Sequence, residues 1–190
     1  MAYPFLALQL AIDVAFALLA VRTIASWVRH PDRRHANLAI ALVALAVMML
    51  LAPSLGGTGP WAQVVTDAAA AVFLISGYGL LSFRNTFVPF RPTTMRLITA
   101  AIVAIGVLDI AVRLPATPDS PHSPLQTLAL AATLAIWSFC ILEPIVTFWT
   151  ASQGRPPVES ARLRALSSGY AALLLVILIG TLAGSFSDGI

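Results

Sequence analysis

Ala62-Gln-Val-Val-Thr-Asp67-Ala-Ala-Ala-Ala-Val-Phe-Leu-Ile-Ser76-Gly77-Tyr78-Gly79-Leu-Leu-Ser-Phe83 is a run of 22 residues with one charged side chain, Asp67. Coiled as an α-helix it would be about 33 Å long at 1.5 Å per residue. That is enough to cross a hydrocarbon core about 30 Å thick. The run is continuously apolar rather than alternating, so a helix is expected and not a barrel strand. Arg84 closes it with a charge that belongs at a membrane surface.

The rest of the chain repeats this unit. Five further apolar stretches run from about Pro4 to Val21, Leu38 to Ala52, Met95 to Val112, Leu125 to Trp149 and Ala165 to Phe186. The second and fourth spans are short and would lie close to the membrane normal. Pro53 to Pro60, Pro115 to Pro124, and Gly154-Arg155-Pro156-Pro157 punctuate the spans with helix-breaking residues. The whole is 59% hydrophobic and 10% charged, with a mean hydropathy of +0.90. A water-soluble domain carries about a quarter charged residues. The expected fold class is therefore all-α, a polytopic membrane bundle of about six transmembrane helices forming one domain over residues 1–190, with the lipid bilayer as its solvent.

Charge sets the expected orientation. All eleven basic residues are arginine. Ten of them flank the odd-numbered loops: Arg22, Arg29, Arg33 and Arg34; Arg84, Arg91 and Arg96; Arg155, Arg162 and Arg164. Only Arg113 lies on the other side. By the positive-inside rule these loops are cytoplasmic and the amino terminus is outside. The basic pI has this topological cause, so nucleic acid is not an expected partner. The segment before the first span carries no basic side chain, which is the reverse of a secretory signal, so the span is expected to be retained. The arginine-only, alanine- and leucine-rich composition suggests a GC-rich bacterial genome.

The stretch Phe148-Trp-Thr-Ala-Ser-Gln-Gly154-Arg-Pro-Pro-Val-Glu-Ser-Ala-Arg162-Leu-Arg164-Ala-Leu-Ser-Ser-Gly-Tyr170-Ala-Ala-Leu-Leu-Leu175 ends one helix in a Gly/Pro turn and opens the next with closely spaced arginines. With the basic first loop Arg29-His30-Pro31-Asp32-Arg33-Arg34-His35-Ala36-Asn37, it resembles the amino-terminal seven-helix membrane regions of bacterial sensor histidine kinases and diguanylate cyclases. The similarity of layout covers most of the chain. The resemblance implies an outside amino terminus in the bacterial inner membrane, and a seventh helix and cytoplasmic output domain beyond Ile190. Six spans that start outside also end outside, so a cytoplasmic output would need a seventh; the alternative is a six-helix protein with both ends outside. No kinase or cyclase signature occurs in the chain, so any such activity is expected in the output domain and not here.

Four acids fall inside the spans: Asp13, Asp67, Asp109 and Glu143. An acid at mid-helix costs about 2.5–3.5 kcal/mol on insertion scales, so each calls for a reason. Asp109 and Arg113 are four apart and share a helix face. One reading is an intrahelical pair with Arg113 reaching toward the interface; the other is that Asp67, Asp109 and Arg113 line an outward-open polar pocket that binds a stimulus. Glu143 precedes Pro144, which cannot donate to the carbonyl four residues back and tends to kink the helix. Glu143, Pro144 and Asp13 are candidates for gating or proton-linked behaviour. The alternative is an interhelical polar contact, for Glu143 with a hydroxyl such as that of Ser76 or Tyr78.

The remaining signals are structural. Gly180 and Gly184 form a GxxxG spacing compatible with internal packing or with a homodimer. Gly77 and Gly79 permit close helix approach in span three. Trp27, Trp61 and Trp149 fall at expected interfaces. His30, His35 and His122 all lie in loops, so intramembrane haem ligation is not expected. Cys140 stands alone, without the His/carboxylate spacing of a metal site. No cofactor or metal is expected. No phosphate loop, dinucleotide fingerprint or nucleophile elbow is present. The expected function is sensory input from a small-molecule or lipid stimulus. The alternatives are a small transporter or channel using the intramembrane acids, and a membrane enzyme or assembly factor.

Overall fold

The computed structural model describes residues 3–55, 61–113 and 124–187; the side chains within 3–9 and 178–187, and those of 12, 13 and 53, are outside the description. Among the described residues there are six α-helices and no strand: α1 (Tyr3–Arg29), α2 (Arg33–Leu51), α3 (Ala62–Asn85), α4 (Pro92–Arg113), α5 (Pro124–Ala151) and α6 (Pro157–Ser187). At least five of these are long and apolar enough to cross a bilayer. The protein is an all-α, multi-pass membrane bundle.

The helices run past the apolar stretches at their basic ends. α1 continues from Val21 to Arg29, so Arg22 and Arg29 are helical rather than in a loop. α4 begins at Pro92 and α6 at Pro157, which makes Arg96, Arg162 and Arg164 helical too. The reason is local. Arginine is a good helix former, and the hydropathy limit of a span is not a limit on backbone hydrogen bonding. The true stops are prolines and caps. Pro31 ends α1, Asp32 caps α2 by accepting from the His35 backbone N–H at 2.7 Å, and Pro92 and Pro157 occupy first-turn positions where no amide is needed. Between α5 and α6 the chain turns through Gly154, at φ +77°. That left-handed conformation favours glycine.

The chain divides into two compact units, residues 16–140 and residues 1–15 with 141–190. In the first unit, α2, α3 and α4 run up and down, and α3 is the hub. From Ser76 to Arg84 nearly every α3 residue is buried. Helix approach depends on small side chains, because lipid offers no hydrophobic incentive for helices to associate. A Cβ on Gly79 would lie 2.9 Å from the backbone nitrogen of Ala41 on α2, so these two helices meet backbone to backbone. A Cβ on Gly77 would lie 3.0 Å from the Trp137 ring of α5, and one on Gly106 of α4 3.2 Å from Leu74. Leu74, Leu81, Ile102 and Cys140 form the buried apolar centre, with Ile98 and Ile136 packed against it. Cys140 is core filler here.

In the second unit, the end of α5 packs on α6. Phe148, fully buried, meets Tyr170 edge to face at 5.9 Å between ring centroids. Ser167 donates across the helices to the Ile145 carbonyl at 2.9 Å, a polar tie of the kind that holds helices together in lipid. Exposed Trp61 and Trp149 carry the amphipathic rings expected at a membrane–water boundary. Gly180 and Gly184 lie within α6, where side-chain surroundings are outside the description, and loop residues 56–60 and 114–123, His122 included, are outside the described residues.

Candidate functional site

α4 displays most of its surface to lipid. Leu97, Val103 and Val107 are each more than half exposed. Its buried positions are Ile102 and Asp109, seven residues apart and therefore on one face. Asp109 is 1% exposed. The spacing to Arg113 closes as a charge pair: the guanidinium Nη2 is 3.0 Å from both carboxylate oxygens, and Nε donates to Oδ1 at 3.2 Å. Arg113 keeps 18% of its side chain exposed, so its end of the pair reaches the surface while the acid stays in the bundle. Such a pair is expensive to desolvate and costly to break, because losing either partner strands the other charge.

Asp67 occupies the same end of the unit, five residues into the antiparallel neighbour α3. It accepts from the Gln63 side chain at 3.1 Å, on its own helix. Of the three residues read as a possible pocket lining, the structure thus joins Asp109 to Arg113 and gives Asp67 a local amide partner.

Glu143 lies in the second unit and accepts from the Thr147 hydroxyl, one turn on, at 2.7 Å. Pro144 beside it is fully buried within an unbroken α5. Ser76, named from the sequence as a hydroxyl for Glu143, is engaged elsewhere. It donates to the Phe73 carbonyl at 2.6 Å and accepts from the Trp137 indole N–H at 3.0 Å. Phe73 stacks on Trp137 with centroids 4.3 Å apart. The Asp13 side chain lies outside the described residues.

Two polar features escape a reading by apolar runs. The first is this Ser76–Trp137 bond, which ties α3 to α5 inside the bundle. Tryptophan in a span signals an interface anchor by default, and only the partner hydroxyl 61 residues away makes Trp137 a core residue. The second is the arginine-rich end of the Phe16–Cys140 unit. Arg84, 5% exposed, lies over the Phe90 ring at 3.7 Å and donates to the Val88 carbonyl. The Asn85 side chain accepts from the Phe90 N–H at 2.6 Å. These contacts fold the α3–α4 connection back on α3.

Beside them a polar cavity of about 620 Å³ opens between the start of α2 (Asp32, Arg33, Arg34, Asn37), the end of α3 (Tyr78, Ser82, Asn85, Thr86) and Met95 of α4. Asp32 faces His35 twice, through the backbone N–H and through Nδ1 at 2.7 Å. The His35 N–H first, then its ring and the Arg34 charge, hold the Asp32 carboxyl below the usual range. No group of three or more metal-ligating side chains occurs among the described residues. Comparison with protein-family models, with curated proteins and with solved structures finds no match to this chain.

Proposed function

We propose that this chain is the membrane-embedded sensory input domain of a bacterial signal-transduction protein. In this reading it sits in the inner membrane with its amino terminus extracytoplasmic and its arginine-rich loops in the cytoplasm, and it responds to an extracytoplasmic or intramembrane stimulus. The observation that supports it is the Asp109–Arg113 pair. An ionisable pair that includes a fully buried acid, on a helix otherwise facing lipid, is a functional feature by default. Within the Phe16–Cys140 unit it stands at the end opposite the basic first and third loops, and this orientation places that end outside. A charged ligand competing for one partner releases the other. Asp109 shares the α4 face that packs on Leu74 of α3, so that release biases helix packing, the two-state behaviour a sensor needs. A homodimer would couple two such bundles to one output.

The test is a pair of measurements on the purified chain. Spin labels on α3 and α4 report the interhelical distance, and proteoliposomes with an entrapped pH dye report proton flux. The sensory reading expects Asp109→Asn and Arg113→Gln to shift the α3–α4 distance distribution, without any flux in the unaltered protein. Proton flux that Asp109→Asn or Glu143→Gln abolishes would replace sensing by transport. Distances unmoved by both substitutions would remove the pair from any sensing role.

A further inference from the structure

Two recesses meet at the basic end of the Phe16–Cys140 unit. One is the polar cavity of about 620 Å³. The other is an apolar groove of about 790 Å³ along α4, where Ala100, Val103 and Ala104 form a shallow strip. Asn85 and Met95 line both, so the groove continues into the cavity. Arg33 and Arg34 line the polar side and Arg96 the apolar side.

We propose that this composite recess binds one anionic phospholipid. Its phosphate would meet Arg33, Arg34 and Arg96, its hydroxyl-bearing head group would enter the polar cavity, and an acyl chain would lie in the α4 groove.

Four observations carry the inference. The charge is complementary: three arginines line the recesses against one acid, Asp32, which is already engaged by His35. α2 and α4 both begin here, at Arg33 and Pro92, and the start of a helix carries partial positive charge that favours an anion. Ser82, on the cavity wall and 7% exposed, has a buried hydroxyl without a hydrogen-bond partner among the described residues; a buried donor of this kind calls for one. The groove supplies the fourth. Ala100 and Ala104, one turn apart, leave a furrow on the exposed apolar face of α4, and Arg96 lines its polar end, where a head group would lie. A free phosphate would use the arginines and leave the groove idle, whereas a phospholipid uses both. The inference stands apart from the sensory reading, since it concerns the opposite end of the unit and different residues.

The experiment uses the full chain in phosphatidylcholine nanodiscs containing a trace of phosphatidylglycerol with a photoactivatable acyl chain. Irradiation followed by peptide mapping is expected to place the label on α4 around Ala100–Ala104. Unlabelled phosphatidylglycerol should displace it and added phosphatidylcholine should not. Arg33→Gln, Arg34→Gln and Arg96→Gln should each lower labelling roughly fivefold, the worth of one arginine at an anionic surface. Ala100→Leu with Ala104→Leu, at exposed positions that leave the core alone, should fill the furrow and remove the α4 label. Arg155→Gln with Arg162→Gln, in the other unit, should change nothing. Equal loss on substituting Arg155 and Arg162 would mean general surface charge and overturn the proposal. So would α4 labelling that phosphatidylcholine displaces equally, or displacement by water-soluble glycerophosphoglycerol at the same concentration as phosphatidylglycerol, which would show that the groove plays no part.

Discussion

α3 and α4 are neighbours of nearly equal apolarity, with mean hydropathies of 1.7 and 2.1 over their best windows, yet 39% of the α3 window is buried in the protein and 11% of the α4 window. In water such similar compositions would predict similar burial. In lipid they do not, because a leucine gains little by leaving acyl chains for protein. What separates the helices is their small and polar residues. α3 carries Gly79, which admits α2 at backbone distance, Gly77, against which the Trp137 ring of α5 packs, and Ser76, which accepts from Trp137. α4 carries one close approach at Gly106 and one buried charge pair, and its remaining surface is for lipid.

The sharpest way to break this comparison is to enlarge both helices by the same chemistry. Gly79→Leu should be the most damaging change, because the Ala41 backbone occupies the space a side chain needs. A loss of about 3 kcal/mol or more is expected, read as a large fall in the melting temperature of the detergent-solubilised protein or failure to elute as a single species. A comparable enlargement, Val107→Phe on the exposed face of α4, should stay within about 0.5 kcal/mol. If the two variants behave alike, α3 is not the hub.

Next in size is the charge pair. Arg113→Ala strands a carboxylate that is almost fully enclosed and should cost about 3 kcal/mol in the same melting assay. Asp109→Ala should cost less, because Arg113 is already partly exposed and can extend to the interface. Equal costs would show that the two ends of the pair are equally enclosed.

Trp137→Phe keeps the stacking partner of Phe73 but removes the donor to Ser76. It should cost about 1 kcal/mol, and Ser76→Ala with Trp137→Phe together should cost little more than Trp137→Phe alone, a coupling that a double-mutant cycle measures.

The smallest effect belongs to Asp32, outside the spans. Its carboxyl is held below its ordinary 3.8 by the His35 N–H. A depressed value in the fold means that the cap contributes in full above about that pH and loses its contribution as pH falls through the lower folded value. The difference in melting temperature between the unaltered chain and Asp32→Ala should therefore persist from pH 7 to pH 5 and shrink only in stronger acid. A difference already lost at pH 5 would show that the ionised Asp32 carboxyl is not its source.

The spans were legible because lipid imposes a simple rule on sequence: about 20 apolar residues, all backbone groups paired within the helix. The run Ala62–Phe83 lies wholly inside α3, and Gly154 and Pro156 fall between α5 and α6, where the turn was expected. The pairing of Asp109 with Arg113 was also legible, because an (i, i+4) spacing places two side chains on one helix face without help from any neighbour. Asp32 as a cap was equally local, but it was hidden within a loop read only for its charge.

What the sequence by itself determined is therefore the class of the fold, the number of helices and the contacts made within one helix, all consequences of short-range geometry and of the bilayer as solvent. Which face of each helix meets protein was decided only in the tertiary structure. Hydropathy does not distinguish a lipid-facing valine from a buried one, and the distinction rests on pairs distant in sequence: Gly79 on Ala41, Gly106 on Leu74, Trp137 on Ser76. The cavity at the basic end has the same origin. Its arginines were read as topology signals, and they become the rim of a recess only because α2, the end of α3 and the start of α4 come together there.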